Sequence, residues 1–279
     1  MGGAWVIGHR LWNAHLGMRL ADTGCIVVAV DYRNFPQGQI PDMVEDLNAA
    51  MDWVFGNIGA WGGDHNHVGV VAQSAGAHLA AFLLLKRAIA EAQAAMQGVA
   101  DAVEQRSAWS VQQLKGFLGV SGPYDFVELE PVLDEKGLRS FLRGLCADGD
   151  LHGASPARLL QTPSWHAQPK QGLSAAARMP PVYLFHGADD HTVPASSSSN
   201  FAHRLTMAGV AKVTADVRPG VSHSDPIIEG PMRGDEYQAE LVLQFLVGEH
   251  AGRRLREVQG MRMMIPRALV SVAARFMPF

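Results

Sequence analysis

Apolar positions along the chain fall into two patterns, and the two alternate. One is the short uninterrupted run: Cys25-Ile-Val-Val-Ala-Val30, Val68-Gly-Val-Val-Ala72, Phe117-Leu-Gly-Val120 and Val182-Tyr-Leu-Phe185, with Val213 to Val217, broken by Asp216, read as the last strand. Runs this short, rich in β-branched residues and without polar interruption, predict strands covered on both faces. The other is the longer stretch with one apolar side. Leu11 to Asp22 reads as a helix stopped by Gly24. Asp42 to Asn57 follows Pro41 and carries Met43, Val44, Leu47, Met51 and Val54 along one side. Ala75 to Ala90 and Asp235 to Val247 read as two further helices, the last with Tyr237, Leu241 and Phe245 spaced four apart. Strands separated by helices predict an α/β fold: a mostly parallel sheet with helices on both faces, in one domain over residues 1–279.

Two regions break the rhythm. Ala88 to Gln113 is rich in Ala, Gln and Glu and reads as a long solvated helix or helix pair. Asp125 to Arg178 has helical pieces, several prolines and no convincing strand. An insertion there lies over the carboxyl ends of the strands, where such sheets bind ligands, and is expected to be a helical lid.

Composition narrows the classes. At 279 residues the chain can bury a full core, and its 18% charged residues and 48% apolar residues are those of a globular domain. A net charge of −4 gives no basic footprint for nucleic acid. Two cysteines, Cys25 and Cys146, make no disulfide framework; Cys25 reads as a small buried hydrophobe and favours a reducing compartment. The twelve histidines show no metal-ligand spacing, so no metal or other cofactor is expected. Val68 to Leu85 is uncharged and long enough to span a bilayer, but Gln73, Ser74, Gly76 and His78 interrupt it, and a strand–turn–helix fits it better. Residues 253–279 hold six arginines against Glu257, with Leu269, Val272 and Phe276 on one face of a terminal helix. That end either lies on an anionic membrane surface or packs its apolar face on the core.

The candidate chemistry sits at strand ends. Ser74 lies in Ala72-Gln-Ser-Ala-Gly76, between an apolar strand and an apolar helix. Small residues two before and two after let a strand turn sharply into a helix and raise the hydroxyl clear of its own backbone. Ala72 stands where glycine is usual, which weakens the motif taken alone. The Ala75 N–H, at the helix N-terminus, is placed to stabilise an oxyanion. Downstream, His186-Gly-Ala-Asp-Asp-His-Thr-Val-Pro194 follows a predicted strand, and Asp190 is the expected acid, with Asp189 left to the turn. His223 lies in the loop between the last strand and the last helix and is the expected base. His186 reads as structural, and His191 is too close to the acid to serve. The chain order Ser, Asp, His is the one this fold uses. Gly2 and Gly3, just before a helix, match a loop whose backbone N–H groups reach the substrate oxygen.

Together these residues resemble the isoprenylcysteine methylesterases, an α/β-hydrolase family near the hormone-sensitive-lipase-like esterases. The resemblance rests on Gly-Gly-Ala-Trp at 2–5, Asp31-Tyr-Arg-Asn-Phe-Pro-Gln-Gly38, Asp42-Met-Val, Gly62-Gly-Asp64, Gln73-Ser-Ala-Gly-Ala-His78, His186-Gly187 and Asp190, and on the ending from Ile265-Pro266 to Pro278-Phe279. It implies hydrolysis of the methyl ester of prenylated, carboxyl-methylated C-terminal cysteine, at endoplasmic reticulum and Golgi membranes with the active site facing the cytosol. That family continues upstream of the Gly-Gly loop with anchoring sequence and the first strands of the sheet, so this chain is expected to begin inside the fold. A general carboxylesterase or arylformamidase, or a small-molecule receptor on the same fold, are the alternatives.

Overall fold

The computed structural model describes residues 2–97, 108–166 and 174–248. Four strands, β1 (Val68–Gln73), β2 (Leu114–Val120), β3 (Val182–Gly187) and β4 (Val213–Arg218), pair in that order and all in parallel. Eleven helices are described: α1 (Ala14–Ala21), α2 (Ile40–Asn57), α3 (Ala75–Gln97), α4 (Phe126–Asp134), α5 (Arg139–Leu145), α6 (Pro156–Leu159), α7 (Pro163–His166), α8 (Ala175–Arg178), α9 (Ser196–Met207), α10 (Glu229–Arg233) and α11 (Tyr237–Leu246).

Alternation along the strands divides the core in two. Phe117 of β2 and Val182 and Leu184 of β3 pack with α2, α3, α9 and the β2–β3 insertion. Their neighbours Leu118, Val120 and Phe185 pack with α1, α10 and α11 on the other face. Successive side chains point to opposite faces of a strand, so a sheet covered on both sides needs apolar residues at consecutive positions. α3 is the central helix. From Ala75 to Leu85 every residue is buried, and a helix apolar on all sides belongs inside a fold.

The expected strands and helices form, with two differences. Residues 25–30 form no strand: they pair with none of the four, and Ile26, Val27 and Val28 are 40–47% exposed. An apolar run becomes a strand only where a neighbour takes its N–H and C=O groups, and sequence pattern does not reveal that neighbour. Cys25, at its head, is half-buried rather than buried, and both cysteines are free. The second difference concerns the stretch after Ala88. It continues α3 to Gln97 instead of forming a separate solvated helix. Glu91 is buried there because Arg87 Nε (3.1 Å), Ser110 Oγ (2.8 Å) and Val111 N (3.2 Å) all donate to its carboxylate. Pro41 falls inside the first turn of α2, where its missing N–H costs nothing.

The insertion between β2 and β3 holds α4 to α8. It closes on itself: Asp125 caps α4, and Ser155 Oγ accepts from Phe126 N (2.8 Å) while donating to Leu151 O (2.6 Å). The arginine-rich tail 253–279, with its proposed terminal helix, lies outside the described residues. Among the described residues no helix is long and apolar enough to cross a membrane.

Candidate active site

Ser74 follows β1 directly and has φ +53°, the left-handed region that a non-glycine residue enters at a cost of about 1–2 kcal/mol. Its neighbours fix it there. Ser74 N donates to Val120 O at 2.8 Å, tying the turn to β2, and Ser74 O accepts from His78 N at 3.1 Å, starting α3. The sharp turn lifts the hydroxyl toward the strand ends, where β3 and β4 deliver the other two candidates.

Asp190 stands three residues past β3, and His223 five past β4. His223 Nδ1–H donates to Asp190 Oδ2 at 2.6 Å, leaving Nε2 to accept from Ser74 Oγ–H at 2.9 Å. All three side chains are buried. The sequence-predicted serine, acid and base thus meet in one hydrogen-bonded line. Asp189 is exposed, as is His191, whose carbonyl accepts from Lys136 Nζ at 3.1 Å.

Asp190 takes donors on both oxygens. Thr192 N (2.8 Å) and Val193 N (2.9 Å) reach Oδ1, and His186 Nε2 (3.1 Å) joins His223 on Oδ2. Burial pushes this carboxyl up, but the bonds from His186 and His223 outweigh it and hold the group well below the usual carboxylate range. His186 is therefore more than a strand-end residue. Its Nε2 faces two acceptors, Asp190 Oδ2 and Val193 O, so it carries a hydrogen, and Nδ1 pairs with buried Ser198 Oγ at 2.7 Å. The signal for this role was the spacing His186 to Asp190 across a tight turn. Gln73 was also missed: its Nε2 donates to His223 O at 3.3 Å and ties the loop of His223 to the turn at Ser74.

Gly2 and Gly3 lie beside Ser74. A Cβ on Gly2 would fall 2.5 Å from Ser74 Cβ, so only glycine allows the approach. Gly3 has φ +124°, and Ala4 (+49°) and Trp5 (+62°) continue the left-handed path. Two residues of the 31–38 block brace this loop: Phe35 N donates to Trp5 O at 2.7 Å, and Asn34 Nδ2 to Gly8 O at 3.1 Å. Ala75 opens α3, and its N–H is one of the first-turn groups for which a helix supplies no carbonyl.

The cleft above Ser74 is small, about 10 Å³, room for about one water. Gly3, Trp12, Gln73, Ser74, His223, Ser224 and Ile228 line it, and none of the described residues of 125–178 does. A larger cavity of about 130 Å³ has none of Ser74, Asp190 or His223 in its walls. Among the described residues no cluster of His, Cys, Asp and Glu is arranged to hold a metal ion.

Solved esterases share the fold. Esterase B of Lactobacillus rhamnosis superposes with a TM-score of 0.66 at 17% identity, over 92% of this chain and 76% of that one. Carboxyl esterase 2 of Tuber melanosporum gives 0.62 at 19% identity, over 91% and 76%. In sequence the chain is 36% identical to the probable isoprenylcysteine alpha-carbonyl methylesterase ICMEL1 of Oryza sativa subsp. japonica, over 100% of this chain and 63% of that protein. It is 35% identical to the isoprenylcysteine alpha-carbonyl methylesterase ICME of Arabidopsis thaliana, over 100% and 62%. The probable carboxylic ester hydrolase LipM of Mycobacterium tuberculosis is 28% identical, over 95% and 57%. The chain spans less than two thirds of the length of each of these three relatives. One family model, BD-FAE, matches residues 1–205, which include the glycine loop, the serine turn and the β2–β3 insertion. A parallel sheet carrying Ser74 at the end of β1, set beside that match, places the chain in the BD-FAE family of α/β-hydrolases.

Proposed function

We propose that the chain is a serine carboxylesterase whose substrate is the methyl ester of a prenylated C-terminal cysteine. One observation carries the reaction: Ser74 Oγ, His223 and Asp190 form a buried line at 2.9 and 2.6 Å, with glycine backbone beside the serine. The substrate rests on the names of the plant relatives.

Ser74 Oγ attacks the ester carbonyl carbon as its proton passes to His223 Nε2. The carbonyl oxygen becomes an oxyanion, held by N–H groups of Gly2, Gly3 and Ala75. When the intermediate collapses, the bond to the methoxy oxygen breaks and His223 Nε2–H gives that oxygen its proton, so methanol leaves. Water then adds to the acyl-enzyme by the same proton path and releases the free acid. Asp190 keeps its charge throughout and steadies the imidazolium. These steps use only groups of the chain and water.

Methanol release from S-farnesylcysteine methyl ester, run beside a p-nitrophenyl ester and N-formylkynurenine, tests the reading. Turnover of the prenylcysteine ester that vanishes in Ser74→Ala is expected. Cleavage of the p-nitrophenyl ester alone leaves a general carboxylesterase, and preference for N-formylkynurenine points to an arylformamidase. A chain that neither turns over esters nor takes a fluorophosphonate on Ser74 is a receptor.

A further inference from the structure

His78 sits in the first turn of α3, four residues after Ser74, with 0% exposure and outside the Ser74–His223–Asp190 line. Aromatic rings enclose its imidazole: Phe126 stacks at 4.4 Å, and Trp5 meets it edge-on at 5.4 Å. Each ring nitrogen has a fixed role. An indole N–H only donates, so Nδ1 accepts from Trp5 Nε1 at 3.3 Å; a carbonyl only accepts, so Nε2 donates to Ala154 O at 2.8 Å. The ring is therefore neutral, with its hydrogen on Nε2. Burial agrees, pushing the group down to about 4.

The two ends that His78 joins are remote in sequence. Trp5 closes the loop that lays Gly2 against Ser74, and this loop runs through two non-glycine residues at positive φ, so something outside it must hold it. Ala154 belongs to the β2–β3 insertion, in the turn that Ser155 fastens to the start of α4. We propose that His78 is a positioning residue: by holding Trp5 it sets the Gly2 and Gly3 N–H groups toward the oxyanion, and it holds Trp5 correctly only while Ala154 is docked. If Ala154 withdraws, the hydrogen is free to move to Nδ1, where it opposes the Trp5 N–H and releases the loop. The turn at Ala154 thereby acts on the reaction without lining the cleft. This inference rests on the serine-esterase reading.

Steady-state kinetics of the full chain on a p-nitrophenyl ester provide the test, with melting temperatures measured in parallel. Trp5→Phe keeps the ring and removes the donor. It should lower kcat about tenfold with KM unchanged, because oxyanion contacts act only in the transition state. His78→Gln, which reaches Ala154 but displaces the acceptor from Trp5, should match it, and the Trp5→Phe/His78→Gln double variant should be no worse than either single change. His78→Asn, whose amide oxygen falls near the Nδ1 position, should lose least. Ser155→Ala, which loosens the turn at Ala154, should lower kcat about threefold in the parent and not at all in the Trp5→Phe background. Lower melting temperatures with kcat unmoved, or additive effects in the double variant, overturn the proposal. If the His78 variants do not fold, Trp5→Phe and Ser155→Ala decide it alone. A parent chain whose Ser74 takes no fluorophosphonate overturns the esterase reading and this inference with it. Labelling of Ser74 with Trp5→Phe at parental kcat overturns the positioning role alone.

Discussion

Two buried histidines stand outside the Ser74–His223–Asp190 line, and their surroundings differ. His186 supports the acid, and its partners Asp190, Val193 and Ser198 lie within 12 positions of it. His78 supports the oxyanion loop, and its partners Trp5 and Ala154 lie 73 and 76 positions away. The acid side is thus a local structure, folded by one strand end and its turn. The loop side exists only once three distant segments have met. A local arrangement can be written into a short motif, whereas a non-local one cannot. A carboxylate faces His186, whereas His78 has only an indole and a carbonyl.

The sharpest way to break the comparison is at the line both sides serve. Ser74→Ala and His223→Ala should each lower kcat on a p-nitrophenyl ester by about 10⁶-fold, since such groups act as a unit. Asp190→Asn should cost about 10⁴-fold, because an amide no longer selects the Nδ1–H form of His223. If the losses were modest and alike at all three positions, the line would not be the reacting centre.

The next effect belongs to the loop side alone. His78 is held at about 4 in the folded chain against an ordinary 6.5, so the unfolded chain takes up a proton first as pH falls. Stability from this group is complete above about pH 6.5, declines from there to about pH 4, and is constant below. The integrated change is about 3 kcal/mol for a fully buried ring. Urea unfolding of the parent and of His78→Asn at several pH values should show their difference shrinking by that amount between pH 7 and 4. A gap independent of pH would mean that His78 titrates normally.

A smaller effect separates the two sides from the acid's end. His186→Phe fills the same volume but removes a donor from Asp190 and leaves Ser198 and the Val193 carbonyl with a lost partner, about 1–3 kcal/mol of stability. Its kcat should fall about tenfold, and infrared titration should find the Asp190 carboxyl raised toward the ordinary range. An unmoved carboxyl would show that His223 and the backbone N–H groups suffice. Smallest of all, Asp189→Asn should leave kcat within about twofold, because its side chain faces water. A larger loss there than at Asp190 would reverse the assignment of the acid.

The same contrast explains what was legible in the sequence. Ser74, Asp190 and His223 each follow the end of a strand, those before Ser74 and Asp190 being plain apolar runs, so pattern and chain order picked out three residues that the structure brings together. The Gly-Gly loop was legible too, since close backbone approach demands glycine. The contacts of Gln73 and His78 were not, because a residue's type does not name its partner across the fold, whereas the spacing of His186 to Asp190 carried a local signal. Residues 25–30 failed for a related reason: β-branched side chains describe a strand's surface, while the ladder depends on a neighbour.

One consequence of the docked His78 lies in exchange with solvent. Its Nε2 hydrogen is bonded to Ala154 O inside a shell of rings, and water cannot reach it while the 151–155 turn is closed. Replacement of that single hydrogen by deuterium therefore requires the turn to lift, and the rate of replacement counts those openings. An isotope clock for the insertion is thus built into the chain, readable with no ester present and independent of turnover.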